Sequence, residues 1–310
     1  MIVTELADHD PRWPQALALI LTGTTDVAVA RPRVAELLQF IQSQHLNLRT
    51  IVAANEGAAL VAAASAIESP GRSALALIPP DPRCGERPAV VSLCLERVRQ
   101  AAARHGVALL QALVLPEDAN QASVCRGAGF AFLAELIYAD RPVAQAVPIR
   151  LPATDLQFHN YSPSHHRLFA RALELSYEQS LDCPKLTGLR TTDDILAGHR
   201  ATGVHDPRLW FVAVRGGEAV GTLLLSPVPQ RACVELVYMG VSAPARRQGI
   251  GDHLLAQAFK CCQERGFPTL TLAVDSANLP ARRLYARWGF VETARRRAWV
   301  AKCGRAPQIV

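Results

Sequence analysis

The chain has 310 residues, net charge +6 and a pI near 9.0, with 50% hydrophobic and 19% charged residues. That length predicts two domains, each able to bury a core, and the composition excludes a disordered chain. Alanine-rich apolar residues spread through amphipathic segments leave no uninterrupted run of membrane length, and the start Met1-Ile-Val-Thr-Glu-Leu-Ala-Asp lacks a basic leader, so a cytoplasmic address is expected.

In chain order, Arg49–Ala62 reads as a hairpin around Asn55-Glu56-Gly57. A strand Ala74–Ile78, a Pro-rich turn, a helix Ala89–His105 ended by Gly106, and a strand Ala108–Leu115 follow. Asn120 then precedes a short helix closed by Gly129-Phe130. The segment 163–203 is helical and polar, with His165-His166 expected to face solvent. From Leu209 the earlier order recurs, with a hairpin around Gly216-Gly217 and an apolar strand Glu235–Val241. A glycine-bearing turn, Arg246-Arg-Gln-Gly-Ile-Gly251, leads to an amphipathic helix Asp252–Arg265 ended by Gly266. A strand Leu270–Val274 comes next, and then Asn278, a cap for a helix entered through Pro280 and closed by Gly289-Phe290. The chain is therefore a duplicated domain.

The turn carries the strongest chemical signal. A strand that runs through a glycine turn into a helix start leaves unpaired N–H groups at the positive end of the helix dipole, which suits a pyrophosphate. Gly249 and Gly251 bare the backbone there, while Arg246 and Arg247 add positive charge. In the first copy the corresponding stretch is Arg83-Cys-Gly-Glu-Arg-Pro88, with Glu86 and a proline where bare backbone should meet phosphate. No tyrosine follows Asn120, and the short helix reads Val124-Cys125-Arg126. Arg83 and Gly85 leave only a weak cofactor site conceivable.

Arg246–Gly251 followed by Asn278-x-x-Ala281-x-x-Leu284-Tyr285-x-x-x-Gly289-Phe290 resembles the two signature motifs of the GNAT superfamily of N-acetyltransferases. The resemblance is close from about Leu209 to Val300. It implies a mixed α/β fold of two tandem domains, each a central, mostly antiparallel sheet flanked by helices. Residues 1–147 would be a degenerate, non-catalytic copy and residues 148–310 the catalytic one. Acetyl-CoA is implied as donor. Its pyrophosphate would lie on Arg246, Arg247, Gln248, Gly249, Ile250 and Gly251, its pantetheine arm on the backbone of Met239, Gly240 and Val241, and its thiol beside Asn278 and Tyr285. A worn first copy ahead of an active second one is also the layout of mycothiol synthase, which makes a mycothiol precursor one candidate acceptor among small amines.

Amine acetylation needs a base, because a protonated amine has no lone pair for the thioester. Glu235, a carboxylate in an apolar strand, is the candidate; period two puts it on one face with Val237, Met239 and Val241. A surface or salt-bridged Glu at the strand start is the competing reading. Tyr285 is the candidate acid for the departing thiolate. Acceptor contacts are expected within 163–203, where Tyr177, Glu178 and Asp182 could receive a cationic amine or else be helix-surface residues. The eight cysteines match no zinc spacing and read as reduced core residues, and no metal is expected. The basic balance suits an anionic cofactor. Arg295-Arg296-Arg297 has no interleaved aromatic platform and reads as a solvated edge strand, so neither nucleic acid nor membrane is an expected partner; the oligomeric state is open. Two other functions fit the same residues: an acyl-CoA sensor without turnover, and acetylation of protein N-termini or lysines.

Overall fold

The computed structural model describes residues 1–7, 9–80, 86–144, 151–152 and 154–304. The chain folds as two compact units, Met1–Leu133 with the stretch from Arg296 onward, and Ala134–Arg295.

In the first unit β1 (Ile2–Leu6), β2 (Asn47–Glu56), β3 (Ala59–Ser69) and β4 (Ser73–Leu77) pair antiparallel in that order. The strand β5 (Leu109–Val114) joins β4 in parallel, and Arg297–Lys302 of β12 (Val291–Lys302) pairs antiparallel with β5. Helices α1 (Trp13–Thr22) and α2 (Val27–Ser43) lie on one face, where Leu17 and Ile20 pack against Leu6 and Ile51. Helices α3 (Pro88–Arg104) and α4 (Ala119–Gly127) cover the other, with Val91, Leu95 and Val98 against Val52, Leu110 and Val114.

The second unit repeats this plan. Leu136–Pro142 of β6 (Ala131–Pro142) pairs antiparallel with β11 (Thr269–Asp275), which runs parallel to β10 (Cys233–Val241). The remaining strands β9 (Glu218–Val228), β8 (Trp210–Arg215) and β7 (Gln157–Asn160) follow antiparallel. Helices α5 (His166–Tyr177) and α6 (Thr192–Arg200) bury Phe169, Leu173 and Leu196 against Trp210, Val212 and Leu224. Helices α7 (Ile250–Glu264) and α8 (Leu279–Arg287) cover the opposite face, with Leu254, Leu255 and Ala258 against Leu223, Val234 and Leu272.

Three expectations change. The units do not divide the chain into 1–147 and 148–310. The reason is that strand pairing assigns Leu136–Pro142 to β11 and Arg297–Lys302 to β5, and the expected junction itself lies outside the described residues. The counterpart of Asn278 is Asp118 rather than Asn120. A shift of 160 residues brings Gly106, Asp118, Gly129 and Phe130 onto Gly266, Asn278, Gly289 and Phe290. Asp118 Oδ1 accepts from Gln121 N–H at 2.7 Å as Asn278 Oδ1 accepts from Ala281 N–H at 3.3 Å, whereas Asn120 already sits inside α4 and cannot cap it. Finally, His166 does not simply face solvent: its Nδ1 lies 3.0 Å from Tyr161 Oη and its Nε2 2.9 Å from Asp193 Oδ1.

The seat of α5 on β10 depends on a missing side chain. A Cβ on Gly240 would lie 2.6 Å from Ser176 Cβ and Oγ and 2.8 Å from the Tyr238 hydroxyl. Ser176 donates to Leu173 O at 2.7 Å and holds the Tyr238 hydroxyl at 2.8 Å, so it cannot yield without loss of those bonds. Gly240→Ala should therefore cost about 1–3 kcal/mol by overpacking and lower the melting temperature, and Ser176→Gly in the same chain should restore part of it. A Gly240→Ala protein that melts with the parent would show that α5 does not rest there.

Candidate functional site

β10 and β11 separate part-way along their length. They pair only over Cys233–Leu236 and Thr269–Leu272; beyond a register shift between Leu236 and Tyr238, β10 continues on β9 alone while β11 continues on β6. The backbone of Val237–Val241 on the β11 side is thus left without a strand partner. The extra residue also resets the alternation of side chains. Val234 and Leu236 pack toward α7, and so do Met239 and Val241, whereas Val237 and Tyr238 pack toward α5 and α6. Glu235, next to Val234 and Leu236, takes the α5 face. It therefore shares that face with Val237 but not with Met239 or Val241, and the bulge is why strict period two fails.

At the end of β10 the chain turns into α7. Gly249 is its N-cap with φ 77°, no side chain caps the helix, and Arg247 also has positive φ, 64°. The N–H groups of Gly249, Ile250 and Gly251 have no acceptor among the described residues. Nothing lies within 4 Å of a Cβ built on Gly249, so open space adjoins these donors, and the positive φ is what glycine supplies here. A Cβ on Gly251 would meet Leu284 Cδ2 at 3.0 Å, so this glycine sets the close approach of α7 to α8. Ile250 is buried, while Arg247 and Gln248 are exposed; Gln248 Oε1 accepts from Arg215 Nη1 at 2.9 Å. Bare donors, open space and a helix N-terminus together fit a pyrophosphate. Arg246 is engaged elsewhere: Nε donates to Val241 O at 3.2 Å, Nη1 to Gln179 O at 3.1 Å, and Nη2 to Ser176 O and Glu178 O at 2.9 and 2.6 Å.

Tyr285 is 7% exposed and its ring meets Phe290 edge-on at 5.6 Å. Its hydroxyl has no hydrogen-bond partner among the described residues. Burial first, then the nearby Asp182 and Tyr238, push its pKa well up, so it holds its proton at any working pH. Glu235 is partly buried and forms no ion pair or hydrogen bond within contact distance among the described residues. Burial raises its pKa, and Arg231 only partly offsets this.

The expected acceptor residues separate. Glu178 is exposed just past α5. Tyr177 packs its ring against Tyr238 at 5.5 Å, and burial raises its pKa. Asp182 is not a free surface charge. Its Oδ1 accepts from Asp275 N–H at 3.0 Å and Asp275 Oδ2 accepts from Cys183 N–H at 3.2 Å; burial raises the Asp182 pKa, which the Asp275 N–H and the nearby Asn278 amide partly offset. Asn278 lies beside Asp182 and caps α8. The seven described cysteines are free, and burial pushes the Cys183 thiol up to about 12. No His, Cys, Asp and Glu grouping among the described residues could hold a metal ion. The basic run lies in β12, where Arg295 pairs with Glu292 and Glu135 at 2.6 and 2.7 Å.

The first copy lacks the corresponding parts. The 160-residue shift puts Glu86 and Arg87, rather than Arg83 and Cys84, opposite Arg246 and Arg247, and Val91, rather than Pro88, opposite Gly251; Cys125 stands at the position of Tyr285, and α3 starts after Arg87 at φ −142° with Arg87 paired to Glu56. Arg83 and Gly85 lie outside the described residues.

Residues 173–290 match the model of the acetyltransferase (GNAT) family. This segment is a GNAT acetyltransferase domain. Over 85 residues the chain is 39% identical to a mycothiol acetyltransferase of Streptomyces bingchenggensis, a match covering 27% of this chain and 28% of that protein. The chain thus spans less than a third of the length of that relative. Among solved structures, a GCN5-related N-acetyltransferase from Sphaerobacter thermophilus superposes with TM-score 0.61 at 18% identity, over 98% of this chain and 96% of that one. A tandem GNAT protein from the clavulanic acid biosynthesis pathway gives 0.55 at 15%, over 98% and 99%. At these identities the likeness shows the fold, a GNAT domain whose plan occurs twice in the chain.

The Glu235 environment has a thermodynamic consequence. Its folded-state pKa lies above the unfolded one, so the folded chain binds the extra proton and stability falls as pH rises through the interval between the two values. Glu235→Gln should then melt above the parent at pH 8 and together with it near pH 4. A lower melting temperature for the variant at pH 8 would mean that Glu235 is a stabilising ion-pair partner.

Proposed function

We propose that the GNAT domain transfers the acetyl group of acetyl-CoA to a primary amine of a small molecule by direct attack, with both substrates bound. The observation that carries this reading is that the two proton-handling groups, Glu235 and Tyr285, are both desolvated and both unpaired, and both lie on or beside the separating strands. A binding protein would gain nothing from an unpaired carboxylate and an unpaired phenol at that cost. The acetyltransferase domain match and the mycothiol acetyltransferase relative support the same chemistry, and that relative's name supports a small acceptor.

Acetyl-CoA supplies an activated acyl carbon and a thiolate leaving group. The N–H groups of Gly249, Ile250 and Gly251 would hold its pyrophosphate, with Arg247 and Gln248 alongside. The open backbone of Met239, Gly240 and Val241 would bond the amides of the pantetheine arm. Glu235, whose raised pKa makes it a stronger base than a surface carboxylate, would take the proton of the incoming ammonium directly or through water. Tyr285 would donate its hydrogen to the departing sulfur. Asn278 would act at one remove, holding Asp182 beside that phenol, and Tyr177 and Glu178 would border the acceptor.

Thiol release from acetyl-CoA against a panel of amines, amino sugars and peptides tests the proposal. Turnover with small amines is expected. Tight acetyl-CoA binding without thiol release from any acceptor would make the domain a sensor, and preference for peptides would make it a protein acetyltransferase. Tyr285→Phe should keep acetyl-CoA affinity and lose roughly 10²-fold in turnover. Glu235→Gln should lose most activity at pH 7 and recover part of it at higher pH, where free amine accumulates. Parental rates in both variants, with chemistry rate-limiting, would refute these roles.

A further inference from the structure

We infer that Arg246 is a positioning residue that holds the segment Glu178–Cys183 as a strap from the end of β10 to the end of β11, and is not a phosphate ligand. The inference rests on the acetyltransferase reading of the site. Arg246 opens the glycine turn, yet its guanidinium is bound to carbonyls of β10, of the end of α5 and of the segment that follows it. Four of its contacts are hydrogen bonds to main-chain carbonyls, those of Val241, Ser176, Glu178 and Gln179. Ser176 O belongs to the last turn of α5, where carbonyls lack intrahelical donors and the helix dipole presents negative charge. A guanidinium has five N–H donors, so one already spent on these carbonyls has little left for a phosphate.

The strap that begins there is held at both ends. Glu178 leaves the helix with φ −57° and ψ 120°, and Gln179 follows at φ 52°. At the far end Cys183 has φ 45°, Asp275 N–H donates to Asp182 Oδ1, and Cys183 N–H donates to Asp275 Oδ2. Left-handed backbone at two non-glycine residues costs free energy and persists only when the surroundings impose it. At the first end Ser180 N–H closes a turn on Tyr177 O at 3.1 Å, and Arg246 clamps the Glu178 and Gln179 carbonyls of that turn. Between the anchors Leu181 is 53% exposed, so hydrophobic packing does not hold the middle. Asp182 lies close enough to Tyr285 to affect its acidity, so the strap also forms part of that phenol's dry surroundings. Removal of the guanidinium should free the strap, hydrate Tyr285 and slow transfer, whether or not the donor carries phosphates.

Two donors separate the roles, acetyl-CoA and S-acetylpantetheine, which has the same thioester and no phosphate. For Arg246→Gln we expect kcat/KM to fall by a similar factor with both donors, on the order of 10²-fold, the scale set by small misplacements of catalytic groups. Arg247→Gln, on the exposed side of the same turn, should lose rate with acetyl-CoA only. Hydrogen exchange at the amides of Gln179–Cys183 should quicken in Arg246→Gln and not in Arg247→Gln. A loss in Arg246→Gln confined to acetyl-CoA, or unchanged strap exchange in that variant, would overturn the inference. A parent chain that turns over neither donor would refute the acetyltransferase reading instead, and the exchange measurement would still decide the strap.

Discussion

The extra residue between Leu236 and Tyr238 is the constraint on which the site depends. Without it β10 would stay paired with β11 along its whole length, and no main-chain donors or acceptors would be open between them. A buried backbone group without a partner costs about 1–3 kcal/mol, so the separation is tolerable only where solvent or a ligand satisfies it. The same residue turns Met239 and Val241 toward α7 and leaves Glu235 on the α5 face. The proposed base and the proposed cofactor contacts thereby fall on one short strand without competing for the same side of the sheet.

The two units show which parts of the plan are structural and which are chemical. Both keep the same sequence of strand pairings, the same helices on the same faces, and an Asp or Asn cap before the second helix of the motif. What differs is local. Gly251 allows α7 to meet Leu284, where the first unit has Val91, and Tyr285 gives way to Cys125, a buried thiol pushed up to about 12 in place of a phenol. The first unit keeps the scaffold with Val91 and Cys125 packed into its core beside Val52, Leu95 and Leu110.

Much of this was legible in the chain because the informative residues are close in sequence. Gly249 as a cap, Asn278 three residues before the N–H it accepts, and the hairpin glycines are local features that turn and cap chemistry specify. Other parts depend on distant partners. Arg246 bonds a carbonyl 70 residues away, and Asp182 a backbone N–H 93 residues away, and no periodicity signals either. The bulge in β10 escaped because Glu235–Val241 alternates well enough to pass for a regular strand. The assignment of Leu136–Pro142 to β11 escaped for a related reason, since the composition of a strand does not name its neighbour.

The central claim is that the unpaired backbone of β10 and the start of α7 form the acyl-CoA site, and that the first unit has no equivalent. Hydrogen exchange across the chain with and without CoA tests it most directly. The account predicts slowed exchange at amides of Val237–Val241 that do not bond to β9 and at Gly249, Ile250 and Gly251, with the start of α3 unchanged. Slowing confined to Glu86–Val91, or no slowing along β10 at CoA concentrations that saturate the protein, would contradict it.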